Sequence, residues 1–135
     1  MARVVLTNPS ITINSVDLTD HIAQVSIDIS YDEVETTAFG NTFRTRVSGL
    51  GDASVGLSFH QDFAASNVEA TIYPLLGTNT NIVVKAVNTT TSTTNPSYSF
   101  SASVLEWSPI SGSVGDLLTA DVTWPISGTV TKATS

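Results

Sequence analysis

Apolar and polar residues alternate with period two along most of this chain, the pattern of strands buried on one face. Ser10-Ile11-Thr12-Ile13-Asn14 alternates and runs into a turn at Asn14-Ser15. Asp17 to Asp20 then leads into a longer strand over about 21–30, where Val25, Ile27 and Ile29 point one way and Gln24, Ser26, Asp28 and Ser30 the other. The alternation returns over 53–60, with Val55, Leu57 and Phe59 against Ser54, Gly56, Ser58 and His60. Further strands are predicted at about 81–87, 98–107 and 116–124. One helix is expected over about 67–76. Ser66-Asn67-Val68-Glu69 has the spacing of a capping box, Ala70, Ile72 and Tyr73 supply an apolar side, and Pro74 and Gly77 should kink and then stop it. The fold class is therefore mainly β, with one short flanking α-helix.

Two stretches break the period. Residues 31–51 begin with the acids Asp32, Glu33 and Glu35, continue through Phe39 and Phe43 to Arg44 and Arg46, and close at Gly49 and Gly51. A loop of roughly 20 residues is uncommon inside a compact domain and is usually functional or ordered by a partner. The alternative is a hairpin turning across Gly40-Asn41, and both hold if the hairpin forms in an assembly. The second stretch, Asn88 to Ser97, is rich in Thr and Asn and reads as a mobile surface loop. A single domain spanning 1–135 is expected, with flexible termini at about 1–8 and 128–135.

Composition sharpens this picture. Hydrophobic residues make up 41% of the chain and charged residues only 13%, about half the usual share of ~25%. Ser and Thr carry the polarity instead. Monomeric β proteins commonly place Lys on sheet edges and solvent faces to prevent stray pairing. Here only Lys85 falls on a predicted strand, so the edges call for cover by neighbouring copies. The outward positions are short hydroxyl residues and acids, among them Asp28, Ser54, Ser58, Ser101 and Asp121. Such a face offers phosphates no cation, as the wall of a DNA conduit requires, and it equally suits an ordinary solvated surface. The net charge of −7 argues against binding nucleic acid through phosphate contacts.

Catalytic signals are weak. There are no cysteines, which excludes disulfides, thiolate metal sites and cysteine nucleophiles. His21 and His60 have no second metal ligand at a recognisable spacing, and no Gly-x-Ser-x-Gly elbow supports a triad through His60 and Asp62. Asp17, Asp20 and His21 could hold a cation, but Asp in turns more often bonds its own backbone. No cofactor and no enzymatic activity are expected. No stretch approaches the ~20 apolar residues of a membrane helix, and Met1 to Thr7 is too short an apolar run for a secretory signal.

The order of several segments resembles a known family. They are Val16 to His21, Asp32 to Gly40, Phe59-His60-Gln61-Asp62-Phe63, Ile72 to Thr78, Asn95 to Tyr98, and Gly112 to Leu117. Together they look like the tail tube (major tail) proteins of long-tailed siphophages, the short single-domain kind found in actinobacteriophages, over about residues 10–130. The resemblance implies a β-sandwich with a flanking helix, and a long inter-subunit loop at 31–51 in which Phe39, Phe43, Arg44 and Arg46 meet a neighbour. It also implies stacked hexameric rings forming a hollow virion tail assembled in the host cytoplasm. Asp28, Ser54, Ser58, Ser101 and Asp121 would face the lumen. The implied partners are further copies, the tape-measure protein and DNA in the lumen, and tail terminator and baseplate or tip proteins, with no membrane involved. With no immunoglobulin-like decoration domain the tube would be smooth outside. Rival expectations are a capsid decoration or tail-completion protein, and more distantly a carbohydrate-binding sandwich.

Overall fold

The alternating segments form seven strands: β1 (Ser10–Ile13), β2 (Val16–Asp17), β3 (Ile22–Glu35), β4 (Arg46–His60), β5 (Asn79–Lys85), β6 (Ser97–Ser103) and β7 (Thr119–Ala133). A single α-helix, α1 (Val68–Ile72), lies between β4 and β5. This computed structural model describes Arg3 and residues 5–135. Every strand pairing is antiparallel, and the sheet order is β2-β1-β5-β6-β7-β4-β3.

The fold turns on β7. Its residues 119–125 pair with β4, whereas 126–133 pair with β6. Pro125 has no amide to give a ladder, Gly128 sits at φ 93°, and the β6–β7 register shifts between Ser99 and Ser101. A strand that changes partner at such a bulge turns a corner between two half-sheets. Their inner faces meet in one core. Ile11, Ile13, Ile82, Val84, Phe100 and Ala102 come from one half. Val55, Leu57, Phe59, Ala120, Val122 and Trp124 come from the other, and Val68 and Ile72 of α1 join them. The expected sandwich is thus one continuous antiparallel sheet folded over on itself, with β2 and β3 at its two ends. Trp124, 0% exposed, is its largest fully buried residue, and its Nε1 donates to the Glu106 carbonyl at 2.9 Å. Phe59 meets the Trp107 ring edge-on at 5.5 Å between centroids.

Several boundaries differ from the sequence reading, each for a local reason. Residues 31–35 and 46–51 are strand, so the hairpin alternative describes the 31–51 segment and only 36–45 lies outside the ladder. The ladder accommodates the irregular pattern by a register shift between Tyr31 and Glu33. The segment 128–133, expected to be loose, continues β7 because β6 offers it a partner edge. The loose start expected over 1–8 falls partly on Met1, Ala2 and Val4, which lie outside the described residues.

The capping box does not form. Ser66 takes φ 64°, Asn67 is the N-cap without a side-chain bond, and the Glu69 carboxylate instead accepts from Trp107 Nε1 at 2.8 Å. The α-helix is correspondingly short, and the chain tightens into a 3-10 turn over Tyr73–Leu75 around Pro74 before Gly77 (φ 86°). Asn88 to Ser97 is tied down: the buried Asn95 amide donates to the Val87 carbonyl (2.9 Å) and to Thr89 Oγ1 (3.0 Å).

Candidate functional site

The long hairpin of β3 and β4 divides into two parts with different surroundings. Near their shared base, β4 lies between β3 and β7, and Val55, Leu57 and Phe59 are buried. Beyond the last β4–β7 pair, Ser54 with Pro125, the two strands pair only with each other. From there to Arg46 the arm extends by eight residues, roughly 25 Å at the usual rise per strand residue.

Nearly every residue from 28 to 52 is exposed, including Ile29, Tyr31, Val34, Val47 and Leu50. The tip is nonetheless ordered by its own polar groups. Thr36 N donates to the Thr45 carbonyl at 2.8 Å, Ala38 N to Asn41 Oδ1 at 2.9 Å, and Gly40 takes φ 91°. This lifts Phe39, 108% exposed, and Phe43 clear of the body. Arg46 forms an ion pair with Glu33 of the facing strand, whereas Arg44 has no carboxylate partner among the described residues. The two phenylalanines and Arg44 are thus brought together and free at the tip, while Arg46 braces the arm.

Where the arm leaves the body, Ile29, Tyr31, Gly51, Ala53, Ile126 and Val130 line a groove of about 520 Å³. Gly51 is required for its shape: a Cβ there would stand 2.7 Å from Tyr31 Cε1, so the ring covers bare backbone.

The outer face of β3, β4 and β7 is a polar plane, since paired residues share a face. Gln24, Ser58 and Asp121 form one row; Ser26, Gly56 and Thr123 form the next; Asp28, Ser54 and Pro125 form the third. Ser58 Oγ donates to Asp121 Oδ1 at 2.6 Å. The face is packed close: a Cβ on Gly56 would stand 2.9 Å from Ser26 Oγ. Four of the five residues singled out for an open polar wall, Asp28, Ser54, Ser58 and Asp121, therefore lie together, with two carboxylates and no cation in the three rows. Ser101, paired with Asn81 and Ser127, lies on the outer face of the other half-sheet, across the core from this plane.

The outer edge of β3 is a third feature. It is the last strand of the sheet, fourteen residues long, and bears no Lys, Arg or Pro. Its ladder shifts register at Ile22/Gln24 and at Tyr31/Glu33, and Asp32, Glu33 and Glu35 charge its outer part, so the stretch between the two shifts is the part open to pairing with another strand.

Sequence reading missed a fourth feature, at the end where β4 stops and β7 starts. Phe63, Ile110, Val114 and Leu117 are all exposed there, Val114 by 105% on a turn closed by Asp116 N donating to the Ser113 carbonyl at 3.0 Å. The segment is anchored to that end by Gln61 Nε2, which donates to the Pro109 carbonyl at 2.7 Å. Lone apolar residues without period carry no signal in the sequence.

Polar groups considered for chemistry are engaged structurally. Asp17 Oδ1 accepts from Thr19 N at 3.0 Å, so the turn carboxylate bonds its own backbone. His21 Nε2 meets Asp62 Oδ2 at 2.9 Å, and that carboxylate also accepts from Ala64 N and Asn67 Nδ2, each at 2.9 Å. The Ala64 amide foremost, and then the His21 ring, hold the Asp62 carboxyl below the usual carboxylate range. Among the described residues no group of three or more His, Asp or Glu side chains is placed to hold a metal ion, and no helix is long and apolar enough to cross a membrane.

No family model and no curated protein matches the sequence. Solved structures do match. A chain of the virion of a native gene transfer agent particle superposes with TM-score 0.74 at 11% identity, over 93% of this chain and 95% of that one. A chain of the sheath-tube complex of an extracellular contractile injection system, in its extended state, gives TM-score 0.67 at 14% identity, covering 98% and 93%. A chain from the tail of an empty gene transfer agent particle, refined with C6 symmetry, gives 0.60 at 13% identity, covering 82% and 81%. With almost its whole length aligned to chains of such particles, this protein has the tail-tube fold.

Proposed function

We propose that the chain is a structural subunit that assembles with copies of itself into stacked, hexameric rings, forming the hollow tail tube of a phage-like virion. The observation that carries this reading is the projecting arm. It holds Tyr31, Val34, Phe39, Phe43, Val47 and Leu50 in the open on an ordered β-hairpin that the body does not cover. Ordering exposed apolar residues gains nothing for a monomer, whereas burying each against a neighbour gains about 1.5–3 kcal/mol. The stretch of β3 edge between its two register shifts supports the same reading, because a closed ring leaves no edge free.

Ser101 lies on the outer face of the other half-sheet and is left outside the lumen, to which the polar plane carrying Asp28, Ser54, Ser58 and Asp121 is assigned. Short hydroxyls and acids there would let DNA and a tape-measure protein slide without binding. Phe39, Phe43, Arg44 and Arg46 are assigned to inter-subunit contact, with Arg46 acting through the stiffness of the arm. The work is physical: cooperative polymerisation, then passive guidance of the genome during ejection. A terminator and a tip or baseplate would close the two ends. No reaction is assigned to the chain.

Negative-stain electron microscopy across a concentration series, with light scattering on the same samples, tests this. Hollow filaments of constant width are expected. Discrete rings or trimers would replace the tube with a decoration or tail-completion role, and a monodisperse monomer at high concentration would remove intrinsic self-assembly.

A further inference from the structure

The open stretch of the β3 edge has a segment of its own chain beside it. Leu6, Thr7 and Pro9, which precede β1, line a groove of about 170 Å³ with Ile22, Gln24 and Val25. Among the described residues no strand precedes Ser10, and Val5 and Leu6 are 79% and 52% exposed. Arg3 is exposed and meets no carboxylate among the described residues. The segment thus lies next to the start of the edge without being laddered to it. We infer that Arg3 to Thr7 adds to the β3 edge as an extra strand in the unassembled subunit, and that it must leave before a neighbouring copy can use that edge. The competition rests on the self-assembly reading above, whereas the added strand does not.

Composition and register favour this occupant. Arg3-Val4-Val5-Leu6-Thr7 holds two valines and a threonine, residues suited to a strand. From Pro9 back to Arg3 the segment follows β3 from Ile22 to Asp28 if the two are antiparallel, whereas a parallel segment would leave β3 at its start. Setting Thr7 opposite Gln24 places Leu6 opposite Val25, Val5 opposite Ser26 and Arg3 opposite Asp28. Paired residues share a face, so Leu6 joins Val25 on the side packed against the core and the Arg3 guanidinium meets a carboxylate on the polar side. Val5, beside Ser26, is out of pattern. A slip of one residue in either direction sets Arg3 against Ile27 or Ile29 instead. The exclusion follows from hydrogen bonding. Each outward N–H and C=O of β3 can enter one ladder, so a strand of the same chain and a strand of a neighbour compete for the edge. Cover by the chain itself also protects an edge that has no Lys or Pro to blunt it.

The chain has no cysteine, so paired substitutions read the register directly. Val5→Cys with Ser26→Cys, and Leu6→Cys with Val25→Cys, each pair in one chain, are oxidised below the concentration for assembly and run on a non-reducing gel. Adjacent pairs alternate between the close and wide positions of an antiparallel ladder, so at least one pair should close within the monomer. Val5→Cys with Ser30→Cys, on the same face but further along β3, should stay open. Closure of neither matched pair, or equal closure of the Ser30→Cys pair, would overturn the added strand. The closed form should give no filaments until a reductant is added. Filaments that grow equally well with the bond intact would overturn the competition for the edge. As an independent check, Leu6→Asp sets a charge against Val25 and should speed amide hydrogen exchange over 24–28 in the monomer by about tenfold. Unchanged exchange would count against the added strand. A wild type that never polymerises would overturn the assembly reading and the competition with it, while closure of the matched pairs would still decide the added strand.

Discussion

The two halves of the β3–β4 hairpin are made from the same strands, paired by the same ladder, and do opposite things. At the base, small and apolar residues alternate strictly, and Val55, Leu57 and Phe59 disappear beneath the sheet against Trp124 and α1. In the arm the apolar residues are as large, but no layer of the same chain lies over them. What separates the halves is partnership, not propensity. β7 leaves β4 at Pro125 to pair with β6, and from that point the hairpin has neighbours only if another molecule supplies them. Stability of the monomer and capacity to assemble are thereby assigned to separate stretches of one element.

That division can be broken by substitution. The largest effect is expected from Trp124→Ala. Removing a fully buried indole leaves a cavity beside Phe59 and should cost about 3–5 kcal/mol, a large share of a total stability of about 5–15 kcal/mol. Urea denaturation would read this as a large drop in midpoint, and an unchanged midpoint would refute the placement of the core.

Phe39→Ala with Phe43→Ala should do the reverse. Unfolding should move by no more than about 0.5 kcal/mol, because both rings are exposed. Assembly should weaken by at least about 2 kcal/mol, the scale of an interface hot spot, or roughly thirtyfold in the concentration at which light scattering rises. A destabilised monomer that still assembles normally would mean the two halves are not divided as described.

The smallest effect concerns the ties around His21 and Asp62, which pin the start of β3 to the entry of α1. The Asp62 carboxyl is held below the usual range when folded, so its contribution is present above an ordinary carboxylate pKa of about 4 and is lost as pH falls through the lower folded value. Asp62→Asn should accordingly lower the urea midpoint at pH 7 and lower it less at pH 3. An equal deficit at both values would show that the charge is not what matters there.

Legibility followed the same divide. The buried alternations at Val55-Leu57-Phe59 and Ile82-Val84 could be read directly, because a half-buried strand imposes period two on its sequence. The arm is not legible in this way, since a hairpin exposed on both faces places no such demand and its bulge shifts the register within it. The capping box at Ser66 and Glu69 was a fair local pattern overridden by a tertiary bond, the indole of Trp107 reaching the carboxylate first. Phe39, Phe43 and Arg44 stood out as aromatics and a base in an irregular segment, whereas Ile110, Val114 and Leu117 did not.

Composition and period by themselves determined a mainly β chain, acidic, poor in charge and without cysteine, whose outward strand positions are short hydroxyls and acids. Those properties follow from each residue's own chemistry and its immediate neighbours along the chain. Only the tertiary structure decided that one sheet folds over itself at β7, that four of the five polar-wall candidates share a plane, and that the outer part of the β3–β4 hairpin has no layer of the same chain over it. Each of these depends on which strand lies beside which. Pairing between segments as far apart as Ser58 and Asp121 is settled by the energy of closing the whole core, not by any local pattern.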